Sequence, residues 1–228
     1  MIVIHSKRLR TALRYVIPFI AIPLLVLLST TVFGEKRHLF ISLGVAVLAV
    51  GLFITGFERK ITGSRRMVIV AVMAALCIAG RFLPFFKPVT ALTILTAMYL
   101  GGEAGFLTGA LAAVLSNFYF GQGPWTPFQM LGWGLIGLIA GYLHKPLKKS
   151  RALLLIFGFL SGALYSFVMD VWTILWYDAS FNVSLYLSAL AAALPHTLLY
   201  SVSNLLFLWL LAKPLGEKLT RVRLKYGV

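Results

Sequence analysis

Eight apolar stretches separated by short clusters of lysine and arginine restrict what this chain can fold into. They fall at 12–33, 39–57, 67–83, 89–101, 104–120, 128–143, 152–176 and 185–212. A hydrocarbon core about 30 Å thick takes about 20 helical residues to cross, each rising about 1.5 Å. The fourth stretch has 13 residues and reaches only about 20 Å, so it is expected to be thinly covered or extended by its flanks. Backbone in lipid must satisfy its own hydrogen bonds, which a helix does. The expectation is an all-α, polytopic membrane protein. Composition agrees: 12% of the 228 residues are charged, where a soluble domain carries about a quarter, and the mean hydropathy is +0.93.

A formal net charge of +15 would suggest nucleic-acid binding in a soluble protein. Here the cations flank apolar blocks and do not line one soluble face, so no nucleic-acid partner is expected. Alternate assignment of the loops places seventeen of the 21 Lys and Arg residues on one side. That side is read as cytoplasmic, with both termini on it. The partition needs an even number of spans. The apolar stretch from Tyr15 to Phe33 is about long enough to span and lacks a small-residue cleavage pattern, so it is not read as a cleavable signal peptide. The lone cysteine, Cys77, excludes an internal disulfide and a cysteine-based zinc cluster. The basic linker Glu58–Arg66 divides a two-helix N-terminal extension, 1–64, from a six-helix core, 65–228. Pro18 and Pro23 are candidates to kink the first span.

No catalytic set emerges. The four histidines have no metal-ligand spacing, no nucleophile elbow or phosphate-cradling loop is present, and only Asp170 among the acids lies within a span. Neither a metal nor a cofactor is expected. Three segments on the less basic side are more informative. One runs from Arg81 to Pro88 and holds Phe85 and Lys87; one is Asn117-Phe118-Tyr119-Phe120-Gly121-Gln122-Gly123-Pro124-Trp125-Thr126-Pro127; the third, Trp172 to Asn182, includes Trp176. Their rings offer flat faces for a ligand, while interfacial Trp and Tyr also form membrane belts. Both readings stand for each single ring. Asp170 is either a cavity group or a carboxylate reaching the interface, and His196, after Pro195, is either a site group or a hydrogen-bonded core residue. Gln129 and Asn204 read equally as site groups or as links between helices. Ala71, Ala75 and Ala79, spaced by four, make a flat helix face that another helix can approach.

These residues together resemble the S-component of an energy-coupling factor (ECF) transporter. The match rests on the helix from Arg65 with its alanine face, on Gly101-Gly102-Glu103 through Gln129-Met130, and on Leu194-Pro195-His196 with Ser203-Asn204 and a basic tail. It covers residues 65–228. The resemblance implies a non-enzymatic subunit in a bacterial plasma membrane that binds a vitamin from outside and works with a membrane-embedded T-component and two ATP-binding subunits. Ala71, Ala75 and Ala79 would then dock the T-component. The substrate would be held by residues drawn from Arg81, Phe85, Lys87, Asn117, Tyr119, Gln122, Trp125, Gln129, Asp170, Trp172, Trp176 and His196. The Gly-Gln-Gly-Pro-Trp-Thr-Pro loop looks most like the group assigned to cobalamin or its precursors. A membrane-embedded enzyme or stand-alone facilitator using Asp170 and His196 is the alternative, and a purely structural membrane partner is a third.

Overall fold

The computed structural model describes residue 4 and residues 6–31, 38–56, 60–178 and 182–227. The cations Lys36, Arg37 and Arg59 lie outside the described residues.

All eight expected spans fall on helices among the described residues, the third ending at Gly80 and not at 83; residues 32, 33 and 57 of the first two lie outside the described residues. The first comprises α1 (Lys7–Val16), a π-helical turn (Ile17–Ala21) and α2 (Ile22–Thr31). Pro18 lies inside the π turn and Pro23 just beyond it. A proline has no N–H to give to the carbonyl four residues back, and the chain widens where that bond is missing. There follow α3 (His38–Thr55), α4 (Lys60–Gly80), α5 (Val89–Leu100), α6 (Gly102–Phe120), α7 (Thr126–Tyr142), the short α8 (His144–Lys149), α9 (Arg151–Asp178) and α10 (Val183–Tyr226). No strand occurs among the described residues. Five segments are long and apolar enough to cross a membrane: Lys7–Leu28, His38–Thr55, Gly63–Gly80, Arg151–Tyr177 and Val183–Tyr226. The protein is thus an all-α, multi-pass membrane protein.

Helices α5, α6 and α7 form its centre. In α5 every residue but Tyr99 is buried, which explains how 12 residues, about 18 Å of helix, serve where a lipid-facing span could not. Its flanks do not extend it. Gly101, at φ +98°, turns the chain directly from α5 into α6, a backbone state open to glycine and strained for other residues. Helices α6 and α7 then touch backbone to backbone: a Cβ on Gly141 would sit 2.2 Å from Gly102 Cα, and one on Gly137 2.5 Å from the Gly105 carbonyl carbon. Helix α9 pairs with α10 in the same way through Gly162 and Ser201, and Asn204 Nδ2 donates to the Gly158 carbonyl at 3.1 Å. Of its two readings, Asn204 takes the one of a link between helices.

The basic clusters gather at one end of the bundle. There the Arg14 guanidinium lies 3.0 Å from Glu103 and donates to the Thr55 carbonyl at 3.1 Å. Arg66 donates to the Gly56 carbonyl at 3.1 Å and to the Leu100 carbonyl. The two N-terminal spans are thereby fastened to the six-helix part, and Ile17, Ile22, Val26 and the inward face of α3 join the same apolar core. Helix α10 overruns its expected end at residue 212. Lysine and proline at 213–214 mark where apolar surface stops, but hydrogen bonding continues through Pro214 to Tyr226, giving 44 residues and about 66 Å. Gly216 and Leu219 of this extension are buried, Gly216 against the ring of Tyr99.

Candidate functional site

The opposite end carries the aromatic segments and a small cavity of about 20 Å³. Its lining comes from five places in the chain: Arg81 and Lys87 from the loop after α4, Val89 and Thr90 opening α5, Gln129 and Trp133 on α7, Tyr165 on α9 and Tyr200 on α10. Trp133 and Tyr165 stack with centroids 5.0 Å apart and planes at 12°, and Tyr200 meets Tyr165 edge-on at 5.5 Å. The three rings form one packed aromatic cluster on that side of the cavity.

Polar groups face that cluster. Arg81 Nη1 donates to Asn117 Oδ1 at 2.7 Å and to the Ser116 hydroxyl. Asn117 Nδ2 in turn donates to Gln129 Oε1 and to Thr126 Oγ1, both at 2.8 Å. Thr126 Oγ1 donates to Gln122 Oε1 at 3.1 Å, and Gln122 Nε2 donates to the Val114 carbonyl at 2.8 Å. Four of the residues expected from sequence, Arg81, Asn117, Gln122 and Gln129, thus form one hydrogen-bonded network that ties the loop after α4 to α6 and α7. Lys87 is held by its backbone: its N–H donates to Ser203 Oγ at 2.8 Å, and the Ser203 hydroxyl reaches the Lys87 carbonyl at 3.0 Å. Its ammonium lies 5.8 Å from the centre of the Phe120 ring, which Arg81 also covers at 4.8 Å. Burial lowers the proton affinity of both cations, and the neighbouring Arg81 lowers that of Lys87 further.

Of the expected residues, Arg81, Lys87 and Gln129 line the cavity, with Asn117 and Gln122 behind them. Trp125, Trp172 and Trp176 form a separate run of rings, with centroid spacings of 5.9 and 6.2 Å, and do not line it. Phe85 and Tyr119 are 75% and 73% exposed at the rim. Phe85, at φ +58°, is the only non-glycine with positive φ among the described residues, an unusual state for a bulky side chain. Asp170 Oδ2 accepts from Ser166 Oγ at 3.3 Å, and Thr197 Oγ1 donates to Ser166 Oγ at 2.6 Å, so this carboxylate is occupied between α9 and α10. His196 is exposed. No hydrogen bond or ion pair joins Asp170 to His196 among the described residues, and neither lines the cavity.

Sequence reasoning did not find Trp133, Tyr165, Tyr200 and Thr90. For Tyr165 a signal existed: it lies 14 residues into α9, about 21 Å along the helix, too deep for an interfacial belt.

Away from this end, Ala71, Ala75 and Ala79 are exposed with Val68, Val72 and Leu76, while Ala74 is buried. The small-residue stripe therefore points away from the bundle.

Comparison with curated proteins and with solved structures returns no match. The family model described as ECF-type riboflavin transporter, S component, matches residues 62–221. It supports the S-component resemblance but corrects the cobalamin-type grouping to a riboflavin-type one. The loop that carried the cobalamin reading, Gly121 to Pro127, does not contribute to the cavity lining. With 62–221 covering most of its length, the chain belongs to the family of S-components of ECF-type riboflavin transporters.

Proposed function

We propose that this chain captures a flavin-type vitamin in the cavity between Arg81, Gln129 and the Trp133–Tyr165–Tyr200 cluster, and hands it on through a T-component and two ATP-binding subunits. The observation that carries this reading is the cluster of three rings beside Arg81 and Gln129 in one cavity lining. Aromatic side chains lining a site suit a planar tricyclic ring, and Gln129, Thr90 and Arg81 would supply hydrogen bonds at its margin. Few convergent polar groups in an otherwise apolar pocket are usual for small-molecule sites. S-components have no catalytic step of their own, and Asp170 and His196, which the enzyme alternative requires, stand away from the cavity.

The basic end is proposed to face the cytoplasm, because cytoplasmic loops carry the excess of Lys and Arg. The exposed stripe of Ala71, Ala75 and Ala79 is proposed as the T-component contact, since small side chains allow close approach of a second helix. Residues 1–64 are proposed as an accessory to the 65–228 core; the family match beginning at residue 62 supports that division.

Cobalamin or a precursor is the second reading, favoured by the Gly121–Pro127 loop. The cavity, at about 20 Å³, is well below the about 300–1,000 Å³ of ligand pockets, so the loops and rings around it must part to admit a flavin and would have to part much further for a corrinoid. Calorimetric titration of the purified chain with riboflavin and with cobalamin separates the two. Nanomolar riboflavin binding, about −12 kcal/mol, is expected; tight cobalamin binding with no riboflavin heat would overturn the flavin assignment.

A further inference from the structure

We infer that the ligand is anionic: the cavity takes its planar vitamin in a phosphate- or carboxylate-bearing form in preference to the neutral counterpart. The inference rests on the cavity being the vitamin site. Two cations, Arg81 and Lys87, line it, and no carboxylate does. Asp170, the acid on the adjoining helix, is engaged with Ser166 and outside the lining.

Neither cation is neutralised by the protein. Arg81 commits only Nη1, to the neutral Ser116 and Asn117, and no acceptor faces its Nε or Nη2 among the described residues. Lys87 Nζ likewise has no hydrogen-bond acceptor or ion-pair partner among the described residues, only the edge of the ring field of Phe120. The two share that ring, and Arg81 also lies 5.3 Å from the Trp133 ring centre. A ring quadrupole offsets part of a cation's desolvation, but two like charges side by side in a half-buried site oppose each other. An anion between them removes both costs.

The guanidinium and the Lys87 backbone are also fixed in place. Ser203 clamps the Lys87 backbone on both its N–H and its carbonyl, and Asn117 holds the guanidinium. Fixed donors that await an opposite charge favour binding because little ordering is left to do. The ring of the ligand would lie beside the Trp133, Tyr165 and Tyr200 cluster, and its charged group would reach the open side of the guanidinium fork and the ammonium. A guanidinium presents parallel N–H groups that match either a carboxylate or a phosphate.

The test is calorimetric titration of the full chain in detergent with matched neutral and anionic pairs: riboflavin and riboflavin 5′-phosphate, pyridoxal and pyridoxal 5′-phosphate, nicotinamide and nicotinate. The anionic member of at least one pair is expected to bind about tenfold more tightly or better. That preference should shrink when salt rises from about 50 to about 500 mM. Lys87→Gln, which removes a side chain with no protein partner, should narrow it to about threefold. The salt series on the unaltered chain decides the matter if the variant does not fold. A flavin pair that binds with equal affinity, salt-insensitively, overturns the charge inference and leaves the flavin reading intact. An anionic preference in another pair with no flavin binding keeps the inference and removes the flavin. Binding of cobalamin alone, or of nothing in the panel, overturns both.

Discussion

Arg81 is the side chain on which the aromatic end is assembled. Through Asn117 it sets the position of Gln129, and its flat face lies between Phe120 and Trp133. The rings divide accordingly into those that reach the cavity and those that do not. Trp133→Ala removes the larger member of the stack and is expected to weaken vitamin binding by about 1–3 kcal/mol. Trp125→Ala removes contacts with Gly123 and Trp172, both outside the cavity lining, and is expected to change affinity by less than about 0.5 kcal/mol. Calorimetry on both variants checks the pair of outcomes, and equal losses would return Trp125 to the binding surface. Sequence made the polar half of the site legible, because Arg81, Asn117 and Gln129 sit beside apolar spans where such groups need partners. It left the ring cluster hidden, since an aromatic in a span reads alike whether it faces lipid, a neighbour or a cavity. Phe85, Tyr119 and Trp176 show the converse: composition placed them at this end but could not separate rim from lining.

At the scale of helices, two faces lead to opposite expectations. The contact between α6 and α7 leaves no room for a side chain at Gly137. Gly137→Val is expected to destabilise the protein by about 1–3 kcal/mol through overpacking, read as a lowered melting temperature in detergent. The outer stripe of α4 touches nothing in this chain. Ala75→Leu is therefore expected to leave vitamin binding and thermal stability unchanged while abolishing uptake in cells that carry the partner subunits; loss of binding would remove the stripe from the T-component contact. Span positions were legible throughout, since apolar length is what a bilayer demands. The C-terminal end of α10 was not. Charge and proline report where lipid ends, whereas a helix ends where its hydrogen bonds do, and packing of Gly216 and Leu219 against the core carried it on to Tyr226.

For the whole molecule, Glu103 joins the first two spans to the rest. Its side chain is 14% exposed and lies against Arg14 from α1, while Arg66 from α4 adds an opposite charge nearby. Removing the acid leaves like charges facing each other. Glu103→Gln is expected to cost on the order of 2–3 kcal/mol, measured by thermal unfolding in detergent, with vitamin affinity unchanged because the cavity is at the other end. A loss below about 0.5 kcal/mol would mean that the apolar contacts of α2 and α3 hold the extension without help from this pair. The sequence hinted at none of this, since an acid at the start of a helix has an ordinary role there in offsetting the helix dipole.

The length of α10 has a practical use. At about 66 Å it is about twice the hydrocarbon thickness, and even a tilt of about 40° leaves many of its residues in water. The stretch from Lys213 to Tyr226 holds Lys218, Arg221, Arg223 and Lys225, each a potential trypsin site, whereas the bond after Lys213 is protected by Pro214. With the basic end facing the cytoplasm, as proposed above, the protein carries a built-in marker of sidedness: trypsin should trim this rod in inside-out vesicles and spare it in right-side-out ones, and the reverse pattern would overturn that orientation.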